Sequence, residues 1–153
     1  MMKFISHRGN INGRITKKEN KIDYVKKAIS LGYDVEVDIF FYKKNFWLGH
    51  DKPLYKINNK KFLLNKHIWI HAKNIDAAYE LSKMKNAHFF WHQNDDIVLT
   101  SKSILWTYPG KQLTKNSVCV LPELDKKLNI KKIKKCYGIC SDYIQKFKLR
   151  LNK

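Results

Sequence analysis

Four short groups of residues in the first half of the chain have the types and the order needed to cleave a phosphate ester: His7-Arg8-Gly9, Glu36-Val37-Asp38, His50-Asp51 and His71-Ala72-Lys73. Successive side chains of a β-strand point to opposite faces, so Glu36 and Asp38, two positions apart in an apolar run, share one face. Two acids so placed repel each other unless a cation or basic groups lie between them. A hard divalent ion suits such oxygens and bridges them to a substrate phosphate. His7 and His50 are the candidate acid and base, because an imidazole both accepts and donates a proton near neutral pH. Arg8 offers a planar fork to a pair of phosphate oxygens, and Lys73 offers a point charge to the same group.

These residues need strand ends to hold them, and the pattern supplies strands. Residues 3–6 form a short β-run ending at His7, and Ile22, Val25 and Ile29 recur at helical spacing within 19–31, where Gly32 stops the helix. Residues 33–42 are a long β-branched and aromatic run, and residues 45–48 a second strand after a hairpin turn at Lys43-Lys44-Asn45. Residues 53–66 read as a loop over a short helical turn, residues 67–71 as a strand and residues 75–84 as a helix with Ala77, Ala78 and Leu81 inward. Further strands are expected at 88–92, 97–100, 103–108, 117–121 and 138–142, a Lys-rich helical segment between 122 and 136, and a terminal helix at 144–151. The alternation predicts an α/β fold, a shortened or irregular (β/α) barrel of the triosephosphate-isomerase type with parallel strands. His7, His71, Lys73, His92 and Asp142 stand at or just beyond strand C-termini, the rim where such barrels carry their sites. A full barrel takes ~250 residues, so some helices must be reduced to loops.

Composition sets the outer limits. A chain of 153 residues fits one domain spanning 1–153. The formal charge of +18 would ordinarily point to a polyanion, but the basic residues are 28 Lys against 3 Arg, scattered along the chain beside 13 Asn. Readers of nucleic acid lean on Arg, so no specific nucleic-acid partner is expected. Cys119, Cys136 and Cys140 are odd in number and two lie in apolar runs, the pattern of buried free thiols in a reducing compartment. Residues 1–5 are too short for a signal sequence, and no window approaches the ~20 apolar residues of a membrane span. A cytoplasmic protein without stable membrane insertion is expected.

Over residues 4–51 the chain resembles the glycerophosphodiester phosphodiesterase family and, more loosely, the phosphatidylinositol phospholipase C-like superfamily. The family pattern is His-Arg-Gly after the first strand, Glu-Asn before the first helix, Glu-x-Asp in the second strand and His-Asp shortly after. The chain has His7-Arg8-Gly9, Glu19-Asn20, Glu36-Val37-Asp38 and His50-Asp51 in that order. The resemblance implies hydrolysis of a small phosphodiester, with His7 and His50 as acid and base, Arg8 on the phosphate, and Glu36 with Asp38 holding Mg²⁺ or Ca²⁺. Where the family's third strand has Glu-x-Lys, this chain reads His71-Ala72-Lys73. His71 as a third ligand removes a negative charge and admits Mn²⁺ or Zn²⁺ as alternatives, since imidazole suits them better.

Past residue 75 the resemblance fades. Trp91, His92, Trp106 and Tyr108 are candidates to line a pocket for the alcohol groups, the rival assignment for the aromatics being core. Two readings from other classes stand beside the enzyme: a catalytically silent phosphoester-binding module, and a basic nucleic-acid-binding protein carried by charge alone.

Overall fold

Acids alternate with Val and Ile from residue 34 to 39, so a strand there must bury a charged face and an apolar face at once. The computed structural model describes residues 2–127 and 129–152. Its elements run β1 (Lys3–His7), α1 (Ile22–Ser30), β2 (Asp34–Tyr42), β3 (Asn45–Leu48), β4 (Tyr55–Lys56), β5 (Ile68–Ala72), α2 (Ile75–Ser82), β6 (Phe89–Trp91), β7 (Ile97–Leu99), β8 (Leu105–Thr107), β9 (Ser117–Val120), α3 (Ile130–Ile133), β10 (Gly138–Ser141) and α4 (Ile144–Leu151). Turns of 3-10 helix lie at Lys60–Leu64 and Pro122–Leu124. All ten strands join one sheet.

β2 is the hub, buried throughout Asp34 to Ile39 and paired with β1, β3 and β5. Its apolar face, Val35, Val37 and Ile39, packs with Val25 and Ala28 of α1 and with Ala77 and Leu81 of α2. Its acidic face looks the other way, toward the concave side of the sheet. There Ile5, Trp69, Phe90, Trp106, Val118, Val120 and Cys140 form an inner apolar cluster. Trp106 of β8 stacks on Phe90 of β6 with ring centroids 4.6 Å apart, so the sheet curls far enough for strands distant in the pairing order to meet. A third cluster, including Ile133, Ile139, Ile144 and Phe147, seats α3 and α4 on the outside.

The expected parallel (β/α) barrel is not what the chain builds. The sheet is an open, mixed half-barrel with few helices: β3, β4 and β7 are attached by antiparallel ladders, and no ladder joins β6 to β7 or β8 among the described residues. The reason is connection length. A parallel crossover takes a dozen or more residues, usually a helix, whereas a hairpin needs two. At Lys43 and Lys44, both in the left-handed region at φ +47° and +59°, the chain takes the hairpin, as the turn signal predicts. The Lys-rich segment expected as a helix contains only the Pro122–Leu124 turn and the four-residue α3, with Leu128 outside the described residues. Helix α1 begins at Ile22, three residues later than expected, because Asn20 sits at φ +61°. That late start leaves Glu19 and Asn20 free to turn inward. Among the described residues no helix is long and apolar enough to cross a membrane.

Candidate functional site

Strand register assembles the site. His7 at the end of β1 stands beside Glu36 on β2, and Asp38 stands beside His71 on β5. Arg8 follows at φ +54°, a conformation that costs an ordinary residue about 1–2 kcal/mol. Backbone bonds hold it there: the Arg8 N–H donates to the Glu36 carbonyl and the Asn20 N–H to the Arg8 carbonyl. Gly9 continues the turn at φ +92°, and a Cβ on it would lie 2.6 Å from the Tyr24 ring. His50 is presented by Gly49, whose N–H donates to the Asp38 carbonyl and whose Cβ, were one present, would overlap the Lys52 carbonyl. Lys73 leaves β5 with its N–H on the Ile39 carbonyl, just ahead of Asn74, whose side chain caps α2.

These groups converge on a cleft of about 310 Å³. Its charged lining is His7, Arg8, Glu36, His50, His71 and Lys73, and its far wall is His92, Gln93, Trp106, Tyr108 and Leu121. Tyr108 stacks on His92 at 4.2 Å, and His71 on Phe90 at 5.0 Å. A larger hollow of about 530 Å³ between α1 and Tyr55 carries Lys and Tyr side chains but no grouping of acids with imidazoles.

Asp38, fully buried, is clasped from several sides. Arg8 Nε lies 2.8 Å from its Oδ2, Asn20 Nδ2 donates to the same oxygen at 2.9 Å, and the Asp38 N–H donates to Asn20 Oδ1 at 3.0 Å. His71 Nδ1 and Lys73 Nζ approach its Oδ1 at 3.2 and 3.7 Å. Burial alone would raise its pKa, but His71, Arg8 and Lys73 outweigh it and hold Asp38 far below the usual carboxylate range. Glu36 differs. Burial and then the neighbouring Asp38 charge push it upward despite His7, Arg8 and His71. Its Oε2 is 3.8 Å from His7 Nε2 and its Oε1 4.0 Å from His71 Nδ1, ion-pair distances rather than hydrogen bonds.

His7 gains a partner the sequence marks only as a rim residue: Asp142, just past β10, with Oδ1 2.8 Å from His7 Nδ1. Asn10 Nδ2 donates to that same oxygen, and the Asp142 N–H donates to Glu123. Burial disfavours the imidazolium of His7, yet the Asp142 hydrogen bond and the Glu36 charge more than offset it and raise the pKa. The half-buried His50 moves down, mainly through its own burial and the Arg8 and Lys73 charges. Its Nδ1 is 2.6 Å from Asp51 Oδ1.

Of the ten residues expected from the sequence, nine lie in or directly behind this cleft, Asp38 being the one behind. Trp91 is not brought there. It points away from Phe90 on the other side of β6 and is exposed. Trp106 forms the cleft floor while almost wholly buried in the inner cluster, so the core assignment and the lining assignment both apply. Sequence reasoning missed Asn10, Gln93 and Leu121, which carry no local signal; Asn20, named there only within the Glu19-Asn20 motif, turns out to hold Asp38 from a left-handed backbone position that Asn tolerates.

Glu36, Asp38 and His71 each offer a ligand atom within 4.8 Å of the others. Glu36 Oε2, Asp38 Oδ1 and His71 Nε2 are buried without a hydrogen-bond partner. Buried polar atoms are ordinarily paired, so two carboxylates with an unpaired oxygen each, beside a His71 that turns Nδ1 toward them, could hold a divalent cation. Comparison with protein-family models, with curated proteins and with solved structures finds no match. What remains is the geometry: a small cleft with two buried acids and His71 that could hold a cation, two cationic side chains, and two imidazoles biased toward opposite protonation states.

Proposed function

We propose that the protein is a metal-dependent phosphodiesterase that cleaves a small glycerophosphodiester-like substrate, in line with the resemblance of residues 4–51. The observation that carries this reading is the single cleft that gathers His7, Arg8, Glu36, His50, His71 and Lys73. Glu36, Asp38 and His71 would hold a divalent cation, which when bound supplies positive charge to a phosphate oxygen. Arg8, fixed by Asp38 and by Glu19 at 3.3 Å, and Lys73 bind the phosphate without rearranging. His50, biased toward the neutral form, takes the proton from the attacking hydroxyl. His7, biased toward the imidazolium by Asp142 and Glu36 despite its burial, protonates the leaving alkoxide. Tyr108, His92 and the Trp106 floor bound the space left for the alcohol. The buried free thiols of Cys119, Cys136 and Cys140 support a reducing, cytoplasmic setting.

The test is release of phosphate monoester or p-nitrophenol from glycerophosphocholine, glycerophosphoethanolamine and bis-p-nitrophenyl phosphate, with divalent ions against EDTA. Metal-dependent turnover lost in both His7→Ala and His50→Ala is expected. Turnover unaffected by either substitution, or no turnover on any diester by folded protein, would sink the reading.

A further inference from the structure

Resting on the metal-dependent reading above, we infer that His71 selects the cation: the Glu36–Asp38–His71 cluster is built for an imidazole-seeking transition ion, Zn²⁺ foremost, and against Mg²⁺ and Ca²⁺. The donor count comes first. Asp38 Oδ2 is taken by Arg8 at 2.8 Å and Asn20 at 2.9 Å, so this residue has one oxygen left to give. Glu36 adds a carboxylate with one orphaned oxygen, and the third donor is an imidazole nitrogen. Ca²⁺ takes six to eight oxygens, far more than this cluster provides. Three protein ligands with the remaining positions open is instead the arrangement of catalytic zinc.

Charge argues the same way. Mg²⁺ and Ca²⁺ are held by anionic and carbonyl oxygens, and here Lys73 Nζ at 3.7 Å and Arg8 at 2.8 Å already neutralise Asp38. An imidazole in place of a third carboxylate removes one more negative charge. A transition ion recovers that loss by bonding to the nitrogen, which hard ions do poorly. His71 is well placed for it: buried, stacked on Phe90 at 5.0 Å, with Nδ1 turned toward Asp38 and Glu36 at 3.2 and 4.0 Å.

Chelator-dialysed full-length protein is titrated calorimetrically with Zn²⁺, Mn²⁺, Mg²⁺ and Ca²⁺, for the native chain, His71→Glu and Glu36→Gln. Expected is Zn²⁺ at least ~100-fold tighter than Mg²⁺, a ratio that shrinks by ~10-fold or more in His71→Glu, and a loss of ~10–100-fold in Zn²⁺ affinity in Glu36→Gln. Equal affinity for Mg²⁺, an unchanged ratio in His71→Glu, Zn²⁺ binding indifferent to Glu36→Gln, or no ion bound at all would each overturn the inference. Should the variants fail to fold, pulsed paramagnetic resonance of the Mn²⁺-loaded native protein decides, since a coordinated imidazole gives a nitrogen coupling and an all-oxygen shell gives none. Selective metal binding without cleavage of any ester leaves this inference standing and removes the phosphodiesterase; turnover supported equally by Mg²⁺ does the reverse.

Discussion

Strand β2 carries the same kind of residue at both ends of one face, and the two ends are finished differently. Asp34, at the start of the strand, has both oxygens occupied: His67 Nδ1 at 2.7 Å on one, Trp69 Nε1 at 3.1 Å and Lys3 Nζ at 3.0 Å on the other. It lines neither the cleft nor the hollow beside α1. Glu36 and Asp38, two and four residues on, are more deeply buried, yet leave an oxygen each without a hydrogen bond beside His71, whose Nδ1 faces them and whose Nε2 has no partner. Leaving a buried acceptor without a hydrogen bond costs about 1–3 kcal/mol, which a fold tolerates where something else is meant to meet it. Acid–histidine clusters are thus not sites by composition. Satisfaction of their atoms separates a structural pair from a binding centre.

The sharpest way to break that contrast is Glu36→Gln. A neutral amide relieves the repulsion from Asp38 and the desolvation that raises Glu36, so the folded protein should be as stable as the parent or more so. Diester turnover should meanwhile fall by about 10³-fold, since the cluster loses a charged donor directed at developing charge. Denaturant midpoints and kcat/KM measured on the same preparation check both halves. A destabilised variant with normal turnover would make the upper cluster structural, like the lower one.

Next in size is Asp142→Asn, which tests a positioning residue. Turnover should drop by about 10–100-fold through loss of His7 orientation. The diagnostic is the pH profile. Asp142 is the largest influence raising His7, so removing its charge lowers the His7 pKa and moves the limb of the profile governed by that group to lower pH. A drop in kcat with an unmoved limb would assign Asp142 to packing alone.

How much of this was legible follows from where the information sits. The alternation of acids with Val and Ile identifies the Glu36/Asp38 face, and His7 and His71 follow because each ends an adjoining apolar run. That His71 lands beside Asp38 depends on β5 pairing with β2 across some thirty residues, a register no local pattern encodes. Trp91 was misplaced because Phe89-Phe90-Trp91 is aromatic at every position, so period two offers no clue to which ring faces inward. The barrel expectation failed for a related reason: apolar runs announce strands but not whether the return is a hairpin or a crossover, and β3, β4 and β7 all return antiparallel. Arg8 was legible as a residue and not as a conformation, since its left-handed backbone is imposed by bonds from Glu36 and Asn20.

At the lower cluster the expected effects are smaller and fall on stability. Asp34→Asn leaves an amide that can accept from His67 or Trp69 but pairs with no charge, so about 1–3 kcal/mol should be lost with turnover per folded molecule intact. Urea unfolding beside a kinetic assay distinguishes this from the upper cluster; a loss of turnover without a loss of stability would erase the distinction between them.

The smallest effect concerns His88, whose ring lies 3.9 Å from that of Trp69 and whose Nε2 is 2.9 Å from Thr100 Oγ1. Burial, with Lys102 next, pushes its pKa down from 6.5 to about 4. Above pH 6.5 the imidazole is neutral in folded and unfolded chains alike and costs nothing. Between pH 6.5 and 4 the unfolded chain takes up the proton first, so stability falls as pH falls, and below 4 this group adds no further loss. The ring is only half-buried, so solvent screening discounts the loss to about 1–2 kcal/mol. His88→Gln retains a polar atom for Thr100 and cannot titrate, so its unfolding free energy should decline less than that of the parent between pH 7 and pH 4.5. Equal declines would mean that His88 is protonated in the folded protein as readily as in the unfolded chain, and that the lower cluster accommodates a second cation beside Lys3.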